Sequence, residues 1–146
     1  MSILSQNQTN YDDKLNDTVK NIMQFISNLY NHVLLKSTKK GKINFVTSNI
    51  RILLGYEDHE VLDMFLHDLI HENDRKQLLE LYKSTNSQQL YKISVRMRKK
   101  DGIFLPIVLI IYQIHNSDRN LEEFFYMMKE INLTQEESLL QSDKMA

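Results

Sequence analysis

The chain contains no cysteine, and that absence removes several chemistries at once. Disulfides, thiolate nucleophiles, thiolate-ligated metals and cysteinyl-flavin adducts all need a sulfur that is not there. Long apolar runs are missing too. No stretch approaches the roughly 18 apolar residues that a membrane-crossing helix requires, so no membrane partner is expected. The opening MSILSQNQTNYDDKLND lacks a basic stretch followed by an apolar one, so it does not read as a secretory signal. Together these absences fit an intracellular chain, cytoplasmic or nuclear. Neither charge sign is in excess: 18 Lys and Arg face 19 Asp and Glu, for a net charge of -1. A nucleic-acid surface would call for a basic excess, so none is expected. Phosphate-binding glycine loops, nucleophile elbows and H-E-x-x-H strings are absent as well, and no catalytic residue is assigned. The chain is not expected to be an enzyme.

Glycine and proline are scarce, three and one respectively, so their positions carry information. Gly41, Gly55 and Gly102 each stand where an apolar segment must stop or turn. The composition that remains, 42% hydrophobic and 25% charged over 146 residues, is that of one globular core.

Residues 1–10 are mostly polar and read as a disordered tail. Over residues 11–30, Leu15, Val19, Ile22, Ile26 and Leu29 recur in steps of four and three, one apolar seam of an amphipathic helix. Such a seam docks on its own domain, covers a sheet or pairs two chains; two heptads are too few for a free-standing coiled coil. Two short strands follow, near residues 32–36 and 43–46, joined by a polar turn through Gly41. Thr47 or Ser48 can cap a short helix that carries Ile50, Leu53 and Leu54 and stops at Gly55. Another begins near Glu57, with Val61, Leu62 and Phe65 turned inward. A longer helix starts near Asn73 or Asp74 and ends near Tyr82.

The rest reads as strand. Tyr91, Ile93, Val95 and Met97 alternate with Lys92, Ser94, Arg96 and Arg98. Asp101-Gly102 makes a hairpin turn into a strand over residues 103–112, and a last strand covers residues 122–131. Pro106 cannot donate to a ladder, so it marks a bulge or an unpaired position near the start of its strand. In these last two strands both faces are apolar. Ile103, Leu105, Ile107, Leu109 and Ile111 line one face, with Phe104, Val108, Ile110 and Tyr112 on the other; Phe124, Tyr126 and Met128 oppose Phe125 and Met127. A sheet wetted on one side alternates apolar with polar, so this one calls for a cover on its second face. The amino-terminal helix or a second protein chain would supply it.

Five linked motifs carry a family resemblance. Gly41-Lys42-Ile43-Asn44-Phe45-Val46, Ile52-Leu53-Leu54-Gly55-Tyr56 and Asp68-Leu69-Ile70-His71-Glu72-Asn73-Asp74-Arg75 come first. Arg96-Met97-Arg98-Lys99-Lys100-Asp101-Gly102 and Lys129-Glu130-Ile131-Asn132-Leu133-Thr134-Gln135 follow. In order and spacing they resemble the PAS family, and are similar to PAS domains of fungal white collar regulators and bacterial sensor kinases. Glu72 and Asn73 depart from the family's Pro-Asp, and Asn132 replaces the aspartate of its exit motif. The resemblance implies an α+β fold: a five-stranded antiparallel sheet with short helices on one face, spanning residues 31–135, and a tail over 136–146.

That fold can enclose a cavity between sheet and helices, with Ile52, Leu66, Leu78, Val95, Leu109 and Met127 as candidate lining residues. No cofactor contact is evident. The light-driven flavin adduct lacks its cysteine, and haem lacks a histidine on the long helix; His32, His59, His67, His71 and His115 read as structural or solvated. No metal site is assigned, since His67 and His71 fall at a break between helices. Two functions remain. One is a signalling module that pairs with itself or another protein, in a sensory or transcription-regulatory pathway, through Leu15, Val19, Ile22, Ile26, Leu29 and the outer sheet face. The other is a small-ligand sensor with an apolar pocket.

Overall fold

The computed structural model describes residues 3–83 and 90–131, with side chains from residue 13 onward. The expected tail at 136–146 lies outside the described residues. The order of elements is α1 (Ile3–Tyr30), β1 (Val33–Thr38), β2 (Ile43–Val46), α2 (Ile50–Leu54) and α3 (Asp58–Val61). Two 3-10 turns, Leu66–Leu69 and Glu72–Asp74, then lead into α4 (Arg75–Lys83). Three long strands close the domain: β3 (Leu90–Arg98), β4 (Phe104–His115) and β5 (Leu121–Glu130). α1 begins at Ile3, inside the segment expected as a disordered tail.

All five strands join one antiparallel sheet in the order β2-β1-β5-β4-β3. The last strand is therefore central, with Tyr126 opposite Leu35 on one side and Ile111 on the other. The turns follow from local chemistry. Gly41, Gly55 and Gly102 all take positive φ. At Gly55 that conformation ends α2, its N–H donating to the Arg51 carbonyl at 2.9 Å. Glu57 and Glu60 form a reciprocal capping box that starts α3.

Pro106 stands opposite Arg96 with no break in register. Arg96 turns its N–H to Asp74 and its carbonyl to the His71 N–H, away from β4. Pro106 is thus an unpaired ladder position near the strand's start, where β5 is ending; its carbonyl accepts from Ile131 N–H at 3.0 Å.

One apolar cluster fills the space between the sheet and the short helices. It contains Leu35, Ile43, Ile50, Leu54, Leu66, Leu78, Val95, Met97, Leu109, Phe124, Tyr126 and Met128, among others. Side-chain parity sets which residues enter it. Val95, Met97, Ile107, Leu109, Ile111, Phe124, Tyr126 and Met128 point in, and their alternates point to the opposite face.

Candidate functional site

Two of the expected lining residues do not face the interior. Ile52 is 78% exposed, because Ile50 and Leu54 are the buried i, i+4 pair of α2 and Ile52 lies between them on the outside. Met127 is half-buried on the outer face of the sheet, and Met128 takes the interior place. Leu66, Leu78, Val95 and Leu109 do come together, each at 3% exposure or less, packed as part of the core.

The interior also holds polar chemistry that periodicity does not single out. The Tyr82 and Tyr126 hydroxyls are 2.7 Å apart, and Ser37 Oγ lies 2.7 Å from the Tyr126 hydroxyl. Ser37 Oγ donates to the Thr38 carbonyl at 2.9 Å, so its lone pairs are left for Tyr126. Burial pushes Tyr82 up to about 12 and Tyr126 further up in the same direction, so both stay neutral. The Tyr91 hydroxyl and His67 Nδ1 are buried with no hydrogen-bond partner among the described residues. No group of three or more metal-ligating side chains occurs among the described residues.

The amino-terminal helix is anchored by polar side chains. Gln24 Oε1 accepts from Ser48 N–H at 2.9 Å, and buried Ser27 donates to Thr47 Oγ1 at 3.1 Å. Thr47 Oγ1 also accepts the Leu34 N–H at 3.0 Å and donates to Asn49 Oδ1 at 2.6 Å. Asn49 Nδ2 in turn reaches the His32 carbonyl at 2.9 Å. α1 packs against β1 here, where Leu34 is 3% exposed. At 100° per residue, Gln24 and Ser27 lie on the side of α1 opposite the seam. The helix thus docks by its polar back. Its seam points outward, with Leu15 51%, Ile22 52%, Phe25 66% and Leu29 63% exposed. Val19, Ile26 and Tyr30 are exposed too. The seam does not cover the sheet of its own chain, contrary to one expectation from its pattern.

The outer sheet face is the second open apolar surface. Register places Leu90, Tyr112, Phe125 and Lys36 in one row, and Lys92, Ile110, Met127 and Leu34 in the next. Tyr112 and Leu90 are exposed; Val108, Ile110, Phe125 and Met127 are half-buried. Lys92, Arg98 and Lys129 stand on this face without an ion-pair partner among the described residues.

Where α1 ends and β5 leaves the sheet, a cleft of ≈ 760 Å³ opens between Tyr30, His32, Asn49, Ile52, Leu105 and Ile131. Burial first and the Lys129 ammonium second lower the His32 pKa.

The comparisons with known proteins agree with this architecture. The PAS fold family matches residues 23–131, and the chain belongs to that family of sensory signalling modules. A segment of 63 residues is 36% identical to White collar 2 protein of Neurospora crassa, covering 42% of this chain and 12% of that protein. Among solved structures, the PAS domain of an HTR-like protein from Haloarcula marismortui superposes with a TM-score of 0.66 at 15% identity, over 84% of this chain and 99% of that one. The sensory box histidine kinase/response regulator from Burkholderia thailandensis gives 0.62 at 22% identity, over 83% and 93%. PAS-B of Drosophila melanogaster Cycle, which holds ethylene glycol, gives 0.59 at 16%, over 68% and 99%. At these identities the structures establish the fold.

Proposed function

We propose that this PAS domain is a non-catalytic module that works by binding protein, through the α1 seam and the outer face of its sheet. One observation carries the reading. A helix docked by Gln24 and Ser27 leaves Leu15, Val19, Ile22, Phe25, Ile26 and Leu29 in water. Aliphatic and aromatic side chains gain about 1.5–3 kcal/mol each on full burial, so an ordered seam of this kind is a surface in want of a partner. The likeness to a regulator such as White collar 2 supports a role in a regulatory pathway. The small-ligand reading has a narrower base, the Tyr91 hydroxyl that has no hydrogen-bond partner among the described residues, because Leu66, Leu78, Val95 and Leu109 are buried members of one core cluster.

The test is a photo-crosslinking residue placed at Phe25, with Asp17 on the back of the helix as control, in cells that make the chain. A discrete protein adduct from Phe25 and none from Asp17 is the expected result. No adduct from Phe25 would sink the interaction reading.

A further inference from the structure

We propose a second docking place, independent of the α1 seam and the outer sheet face. The free edge of β3 at Lys92 and Ser94 takes an extended, acidic segment of a partner protein as an added strand.

β3 is an outermost strand of the sheet. Arg96 stands opposite Pro106, which has no N–H, and turns its own N–H and carbonyl outward. Ser94 and Lys92, two and four residues back, turn theirs the same way. At Arg96 the chain fills this edge itself. The His71 N–H donates to the Arg96 carbonyl at 2.8 Å, and Asp74 Oδ2 accepts the Arg96 N–H at 2.8 Å. Ile70 bridges Met97 in the antiparallel sense. Residues 70–74 thus show what the edge accepts: an antiparallel main chain and a carboxylate. Then α4 leaves. It starts at Arg75 beside the edge and has crossed the inner face by Tyr82, whose hydroxyl bonds Tyr126 in the central strand. Nothing among the described residues takes the outward N–H or carbonyl of Lys92 or Ser94, and both residues are exposed. Main-chain groups require partners, and this pair offers donors and acceptors at the spacing of a docking strand.

Charge selects the occupant. Lys92 has no ion pair among the described residues, and Arg96 and Arg98 follow it on the same side of the strand. A guest residue opposite Lys92 points to that side as well, so an acidic one is favoured. Guest side chains of the other parity fall beside half-buried Tyr91 and Ile93, where apolar ones gain most. The occupant is therefore an extended segment that alternates acidic with apolar residues. A second copy of the chain fits poorly. Paired antiparallel about Ser94, it would set Lys92 against Arg96, like charge against like.

The probe is a capped seven-residue peptide alternating valine with glutamate, titrated into the full chain and read by the amide resonances. The expected result is that the Lys92 and Ser94 amides shift and exchange more slowly. A peptide with lysine in place of glutamate is expected to bind at least tenfold more weakly. Ser94→Pro removes one outward N–H at an edge, where proline is tolerated, and is expected to weaken binding at least tenfold with unchanged circular dichroism. The peptide methylated on its glutamate nitrogens, whose N–H groups face β3, is expected to lose binding with no change to the protein. Unmoved Lys92 and Ser94 amides at millimolar peptide overturn the proposal, as does equal binding of the lysine or the methylated peptide. Shifts confined to Phe125 and Met127 overturn it too, and leave the reading of the seam and sheet face standing. A doubled mass by light scattering that Ser94→Pro reverses would put a second copy at this edge instead, against the proposal.

Discussion

Tyr126 sits between Ser37 and Tyr82 with its hydroxyl 2.7 Å from each, the middle of a three-membered chain inside the core. Ser37 already gives its proton to the Thr38 carbonyl, so Tyr126 donates to Ser37 and accepts from Tyr82. That order makes the two tyrosines unequal. Tyr126→Phe removes the acceptor of a buried hydroxyl and is expected to cost about 1–3 kcal/mol. Tyr82→Phe removes only the donor at the open end and should cost about 0.5–1.5 kcal/mol. Urea unfolding followed by circular dichroism decides; equal losses would contradict this direction of donation.

Gly41 is bound to the same chain. A Cβ there would stand 2.6 Å from the Tyr82 ring, at a φ of 93° that side chains avoid. Gly41→Ala is therefore expected to destabilise by at least about 1–2 kcal/mol through strain and displacement of Tyr82. The double variant with Tyr82→Leu should recover part of the loss, which a purely backbone effect would not allow.

The Asp74–Arg96 pair predicts an acid limb. Asp74 accepts Arg96 Nε–H and Nη2–H at 2.9 Å each and the Arg96 main-chain N–H at 2.8 Å. The hydrogen bonds from Arg96 hold its carboxyl down from 3.8 to about 2. A folded value below the unfolded one stabilises the fold above the unfolded value and ceases to do so as pH falls through the folded one. The contribution should thus be complete above about pH 4 and gone near pH 2; partial solvent exposure reduces it to on the order of 1 kcal/mol. Asp74→Asn should flatten this part of the stability–pH curve, and an unchanged slope would show that another carboxylate dominates.

Core truncations separate filled space from a free surface. Leu66→Ala, Leu78→Ala and Leu109→Ala are expected to cost about 2–5 kcal/mol each. Ile52→Ala, at 78% exposure, should stay within about 0.5 kcal/mol. Any of the three leucines proving neutral would mean that the interior is looser than its burial implies.

Much of this architecture is legible from residue order, and the misses have common physical origins. β2 at Ile43–Val46 and the Gly55 stop are local matters, decided by the polar turn through Gly41 and by a glycine with φ 87°. Met127 reads as inward from sequence because adjacent methionines in a strand apolar on both faces leave parity undetermined. Tyr126, fixed inward by Ser37 and Tyr82, is what settles the phase. Ile52 misleads because three of five residues in α2 are consecutive apolar ones, and a helix this short shows no full period. The seam of α1 is plain in the sequence, but not the side that docks. Apolar patterning predicts burial of the seam, whereas the anchors are Gln24, Ser27, Thr47 and Asn49, joined by hydrogen bonds to residues some twenty positions away.

The central position of β5 has a consequence for how the chain is made. Neither hairpin, β1–β2 nor β3–β4, touches the other directly in the sheet. Both wait for Leu121–Glu130, the last of the described strands to be synthesised, and the pairing of Leu35 with Tyr126 closes a loop across most of the domain. Long-range closure of this kind is slow, and unpaired strand edges stay open until it happens. On the ribosome the domain has two half-sheets and no core until residue 130 clears the exit. A stop codon between β4 and β5 would release a chain with two sticky edges and nothing to join them.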